Sequence, residues 1–166
     1  MLKTTANKAK RILISIFVIY ILVLFVLLFL PNVFRNISAM DKMPLFSSEH
    51  FANYSNLIPF KTIYSFIERF INNRINTSVV VVNLIGNLIA FAPFGLFIPI
   101  LFKNRVKNIW SFIIFMIVLV FIVEFTQFIF CIGMGDVDDI ILNVAGATII
   151  YGIVKTKPIK KLFEIL

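Results

Sequence analysis

Charge is scarce in this 166-residue chain: 14% of its residues are charged, 60% are apolar, and the mean hydropathy is +1.00. Globular domains usually carry about 25% charged and about 45–50% apolar residues. The shortage excludes a water-soluble enzyme and a disordered chain, and it points to a small integral membrane protein. Cysteine is nearly absent. Cys131 alone permits no intrachain disulfide, which excludes a secreted disulfide scaffold, and no cysteine-based metal motif. His50 is the single histidine, so no Ser-His-Asp triad can be argued. Nucleotide-binding glycine patterns and internal repeats are missing too, and no cofactor is implied.

What the chain has in abundance is long apolar runs. The first covers residues 12–30, is broken by Ser15 and Tyr20, and ends at Pro31. About 20 apolar residues span a bilayer core. Lys3, Lys8, Lys10 and Arg11 precede the run, as in a secretory signal. The run nevertheless exceeds the usual length of about 7–15 residues, and no small-residue cleavage site follows. An uncleaved transmembrane helix is expected. The second run, 79–102, carries Asn83, Asn87, Pro93, Gly95 and Pro99. The third, 110–132, carries Glu124 and Gln127, and the fourth, 140–154, carries Asn143, Gly146, Thr148 and Gly152. The fourth spans only roughly 22 Å, short of a full core unless the preceding loop dips in.

The expected architecture is all-α: an integral membrane four-helix bundle over 12–154, between a short N-terminal segment 1–11 and a basic tail 155–166. An amphipathic surface helix is expected in the first outer loop. There Ile63, Phe66, Ile67, Phe70 and Ile71 recur at helical spacing, with Glu68, Arg69 and Arg74 interspersed. Such a helix lies on the membrane surface or packs against the ends of the bundle. Pro93 and Gly95 are expected to kink the second span and let it pack closely. Gly146 and Gly152 favour close helix approach. Most of the twenty phenylalanines are expected to face lipid.

The formal net charge of +8 would suggest nucleic acid in a soluble protein; here its distribution reads as an orientation code instead. Cations cluster before the first span, at Lys103, Arg105 and Lys107, and at Lys155, Lys157, Lys160 and Lys161. The loop 133–139 has none and holds Asp136, Asp138 and Asp139. The positive-inside rule then places both termini in the cytoplasm, with the long loop and the acidic loop outside. The basic tail could also touch anionic lipid heads.

With that orientation, helical rise puts Asn83 and Asn87 roughly 6–12 Å below the outer surface, Gln127 and Glu124 at about 7 and 12 Å, and Asn143 at about 6 Å. Asn83 and Asn87 share a face, as do Glu124 and Gln127. Three helices thus place polar side chains at one depth. Asparagine and glutamine often serve as interhelical hydrogen-bond glue. A carboxylate is different: at mid-membrane it costs at least about 2.5–3.5 kcal/mol. Glu124 must find an amide, a proton, water, a cation, or a basic residue from the long loop such as Lys61 or Arg74. Asp138 or Asp139 is expected to N-cap the fourth helix. Capping is the preferred role for these acids, with Asp136, Asp138 and Asp139 as ligands for Ca²⁺ or Mg²⁺ the alternative.

Several ordered segments resemble the VanZ-like family of small membrane proteins. They are Asn56-Leu-Ile-Pro-Phe60; Asn83-Leu-Ile-Gly-Asn87 with Phe91-Ala-Pro-Phe-Gly95 and Pro99; Glu124-Phe-Thr-Gln127; and Asp136-Val-Asp-Asp139 with Asn143 and Gly146. Many members carry an arginine shortly before the aspartates, where this chain has Gly133-Met-Gly135. The resemblance implies a four-helix protein of the bacterial cytoplasmic membrane. It also implies an association with resistance to teicoplanin, a glycopeptide acting on cell-wall precursors. It names no reaction.

Two functions therefore stand side by side. In one, an outward pocket of Asn83, Asn87, Glu124, Gln127, Asp136, Asp138, Asp139 and Asn143 binds a lipid headgroup, a lipid-linked cell-wall precursor or a lipoglycopeptide. In the other, a membrane-embedded enzyme modifies a lipid or lipid-linked substrate, with Glu124 as its acid or base; no nucleophile paired with a base accompanies it. An ion or proton pathway is least favoured, because the inner halves of the helices offer few polar stepping stones.

Overall fold

A computed structural model describes residues 2–40, 47–102 and 105–156. Lys103 and the tail from residue 157 onward lie outside the described residues. Seven helices and a two-residue ladder are present there. The long helices are α1 (Leu2–Met40), α6 (Ile109–Ile129) and α7 (Val137–Val154). A fourth long element combines α4 (Thr77–Ala90) and α5 (Ala92–Leu101). Among the described residues, four segments are long and apolar enough to cross a membrane: Asn7–Leu30, Thr77–Leu101, Ile109–Ile129 and Val137–Val154. The protein is an all-α membrane bundle.

The apolar run at the N-terminus continues as helix through Pro31 to Met40, at the cost of one backbone hydrogen bond. α7 begins three residues before its apolar run, because Asp136 caps it: the Asp136 side chain accepts from the Asp138 N–H at 2.9 Å. Eighteen residues give about 27 Å of rise, close to the core thickness. The acid at the cap is therefore Asp136, whereas the sequence suggested Asp138 or Asp139. Position 136 has the extended backbone (φ −111°, ψ 122°) that an N-cap requires.

α4 and α5 are separated at Phe91 because Pro93 has no N–H to continue the ladder. The Phe94 N–H turns back to the Phe91 carbonyl at 3.0 Å. The Ala90 carbonyl, released from its own helix, accepts instead from the Tyr20 hydroxyl of α1 at 2.6 Å. A proline kink thereby becomes a fastening point for α1.

α7 is the hub, packing on α4, α5 and α6. Two glycines permit this. A Cβ at Gly146 would lie 1.7 Å from the Leu88 carbonyl oxygen, and one at Gly95 would lie 2.2 Å from that of Ala147. The core holds Phe17, Phe91, Phe94, Phe97, Phe112, Met116, Val120 and Tyr151. Phe17 stacks on Phe97 at 4.9 Å and meets Phe94 edge-on at 5.5 Å; Phe112 stacks on Tyr151 at 4.4 Å. These rings are an inward minority: of the described phenylalanines six are buried and nine are exposed, in line with a largely outward-facing set. The small residues on facing helices leave room for rings, and rings fill it with favourable offset and edge-on contacts. Phe25, Phe115, Phe121 and Phe125 do remain exposed.

At one end of the bundle the connections are themselves structured. α2 (Ser48–Tyr54) leads into β1 (Ser55–Asn56), which pairs in parallel with β2 (Gly135–Asp136). α3 (Lys61–Ile71) follows and rests against α4 and α7. None of its residues is buried. The amphipathic helix thus sits on the end of the bundle.

Candidate functional site

The site assembles at the α3 end, around the short ladder. Glycine makes that ladder possible. A Cβ at Gly133 would stand 3.1 Å from the Gln127 side chain, and one at Gly135 would stand 3.1 Å from Phe128 Cβ. The segment 133–135 is thereby laid flat against α6.

Asp136 is a junction of three elements. It is 3% exposed. Its Oδ1 accepts from Asn56 Nδ2 at 2.9 Å as well as from the Asp138 N–H. Its Oδ2 accepts from the Thr62 hydroxyl at 2.6 Å. Asp138 is fully buried and serves α3 instead of α7. Its carboxylate accepts from the N–H groups of Phe60, Thr62 (2.7 Å) and Ile63 (3.1 Å). These are the orphan donors of a helix start. α3 has no side-chain cap of its own, because Phe60 occupies the cap position in a left-handed conformation (φ 65°). An acid far along the chain supplies the cap.

The remaining polar residues are more dispersed than a single cluster. Glu124 is 6% exposed, and its Oε2 accepts from the Asp136 backbone N–H at 3.2 Å. Asn87 of α4 donates to Asp139 Oδ1 of α7, bridging two helices. Gln127 donates to the Leu28 carbonyl of α1 at 3.1 Å. Asn143 donates back to the Asp139 carbonyl at 2.8 Å, and its Oδ1 has no partner among the described residues. Asn83 differs from the rest: it is exposed and donates to the Val79 carbonyl of its own helix at 2.7 Å. Glue and site therefore coexist. Asn87, Gln127, Asp136 and Asp138 hold elements together, while Gln127 and Asp136 also line open space.

That open space has two parts. A polar cleft of about 500 Å³ lies under α3, lined by Lys61, Thr62, Ser65, Arg69, Asn83, Gln127, Asp136 and Asp139. An apolar groove of about 370 Å³ is lined by Phe51, Leu57, Phe121, Glu124, Phe125, Phe128 and Ile140. Ser55 and Asp136 line both. Glu124 therefore lines the groove, whereas Asn83 and Asp139 line the cleft. Of the partners expected for Glu124, it is a backbone amide, the Asp136 N–H, that engages it and neither Lys61 nor Arg74; Lys61 lines the cleft instead, together with Arg69. Helical spacing explains this, since positions 61, 62, 65 and 69 fall on one side of α3.

No three His, Cys, Asp or Glu residues are grouped to hold a metal among the described residues. Asp136 and Asp138 spend their oxygens on the donors named above.

Sequence reasoning missed His50. It is fully buried, and its Nε2 lies 3.1 Å from the Phe128 carbonyl. Because a carbonyl only accepts, Nε2 carries the proton. Nδ1 is then free to accept from the Cys131 thiol, whose sulfur is 3.7 Å away. Burial pushes the Cys131 thiol above its ordinary pKa, so it stays protonated and able to donate. Ser47 caps the short α2 that delivers His50, accepting the His50 N–H at 3.1 Å. The signal was the pattern Ser47-Ser-Glu-His50, too short to distinguish from loop.

Taken together, fold and site define a polytopic helical membrane protein with a polar cleft roofed by an amphipathic helix. The pattern of the VanZ/LLP1 family matches residues 17–160, and the chain belongs to that family. No curated protein matches it, and no solved structure does.

Proposed function

We propose that this protein is a non-enzymatic component of the bacterial cytoplasmic membrane. Its cleft faces outward and binds the polar end of an envelope lipid, a lipid-linked wall precursor or a lipoglycopeptide. Binding there contributes to resistance against glycopeptides of the teicoplanin type. The observation that carries the reading is the cleft itself. It has the volume of a small-ligand site, roughly 300–1,000 Å³, it is lined largely by polar residues, and it lies at the α3 end of an otherwise apolar bundle. The cation distribution supports the outward placement.

The test is protection of a sensitive host from a lipoglycopeptide, measured for the natural chain and for Asn83→Ala and Asp139→Asn, both at cleft-lining positions. Both variants should insert normally, as judged by membrane yield and monodispersity, and lose protection. Full protection from both would overturn the proposal.

A further inference from the structure

The charges around the cleft are segregated. Lys61 and Arg69 lie two helical turns apart on α3 and form a cationic roof with the hydroxyls of Thr62 and Ser65. The floor carries Asp139, whose Oδ1 is taken by Asn87; among the described residues no partner engages Oδ2. Asp136 keeps its charge, but both of its oxygens already accept from Asn56, Thr62 and the Asp138 N–H, so it has little capacity left to accept from a ligand. Nor does α3 offer its positive N-terminus, which Asp138 already fills. The anion-binding capacity of the cleft thus resides in Lys61 and Arg69, and its cation-binding capacity in Asp139. A ligand that uses both must present a negative group and an N–H-bearing positive group within the one cleft.

The apolar groove adds a third requirement. It meets the cleft at Ser55 and Asp136 and is walled by Leu57, Phe121, Phe125 and Ile140. A hydrocarbon chain leaving the cleft would cross that two-residue ladder to reach the groove. Neither half explains the other's composition: a soluble zwitterion has no use for the groove, and an uncharged lipid has none for the paired charges.

We propose that the site takes a single aminophospholipid-type amphiphile. Its phosphate ester sits under Lys61 and Arg69, its primary ammonium reaches Asp139, and its chain lies along the groove. This rests on the cleft being a headgroup site, as proposed above, and names the chemistry of that headgroup.

The test uses delipidated full-length protein in detergent, with bound ligand counted by native mass spectrometry and affinity measured by titration. Short-chain phosphatidylethanolamine is the probe. It should bind about tenfold or more tightly than the matching phosphatidylcholine, whose quaternary ammonium cannot donate a hydrogen bond, and than diacylglycerol, which lacks phosphate. Water-soluble phosphoethanolamine separates a free phosphate compound from a lipid and should bind at least about tenfold more weakly. Lys61→Gln with Arg69→Gln should remove the preference over diacylglycerol. Asp139→Asn should remove the preference over phosphatidylcholine. Leu57→Glu, at an exposed position, should weaken the lipid and leave phosphoethanolamine unchanged. Equal binding of all lipids, lowered alike by the cleft substitutions, overturns this proposal while leaving a headgroup site. Absence of any amphiphile binding, with cleft substitutions silent, overturns both.

Discussion

Phe60 precedes α3 in a left-handed conformation and has no side-chain atom that can accept a hydrogen bond. Asp138 compensates from across the molecule, with three backbone donors converging on its carboxylate. Removing it strands those donors, and each bond to a charged acceptor is worth about 1.5–3 kcal/mol. Asp138→Ala should therefore loosen α3 by at least about 2 kcal/mol. Hydrogen exchange of the amides at positions 60–63 should accelerate about thirtyfold or more, while the middle of α6 stays protected. Unchanged exchange would show that Asp138 does not hold the helix. Tyr20 supports a gentler prediction. Tyr20→Phe keeps the ring contact with Phe94 at 5.5 Å and deletes the bond to the Ala90 carbonyl. Interhelical hydrogen bonds in bilayers average about 0.6 kcal/mol, with a maximum near 1.7. The variant should remain folded, with a small fall in melting temperature in detergent.

Between elements, glycine decides how closely helices approach, and its positions separate into two classes. Gly146 and Gly95 lie against backbone, where an added methyl group would overlap carbonyl oxygens of Leu88 and Ala147; Gly86 and Gly152 have nothing within 4 Å. Backbone cannot rotate away as a side chain can, so Gly146→Ala must push α4 and α7 apart. Overpacking of this kind typically costs about 1–3 kcal/mol, sometimes more. Gly146→Ala and Gly95→Ala should lose thermal stability and monodispersity on size exclusion, whereas Gly86→Ala and Gly152→Ala should match the parent. The same contrast shows what the sequence could convey. Long apolar runs are self-announcing, and Pro93 marks the break near Phe91. The ladder of Ser55–Asn56 with Gly135–Asp136 has only two residues on each side, too few for an alternating pattern. α2 is seven residues long, too short for a helical period to show. The site was legible as a set of polar residues, since Asn87, Glu124, Asp136 and Asp139 do converge near the α3 end. Its division into cleft and groove was not, because that division depends on the ladder. The capping roles were exchanged for a related reason: which of three nearby acids caps which helix is settled by tertiary approach.

For the whole molecule, mechanism turns on which side of the membrane the cleft faces. The positive-inside rule depends on cations near the ends of spans in short loops. Arg105 and Lys107 lie at the end opposite α3, as does Lys155 at the end of α7. The loop at the α3 end between α6 and α7 contains no cation. Cysteine labelling can read the outcome without disturbing the site. The native Cys131 is 2% exposed and turned toward His50, so the parent chain should resist a membrane-impermeant maleimide in intact cells. Asn76→Cys should label from outside: position 76 is exposed just before α4, and its side chain makes no capping bond that the change would remove. Lys107→Cys, exposed before α6, should label only after the membrane is opened. The reverse pattern would turn the cleft toward the cytoplasm. It would then be unable to meet a lipoglycopeptide or a wall precursor displayed on the outer leaflet, whatever its affinity for either.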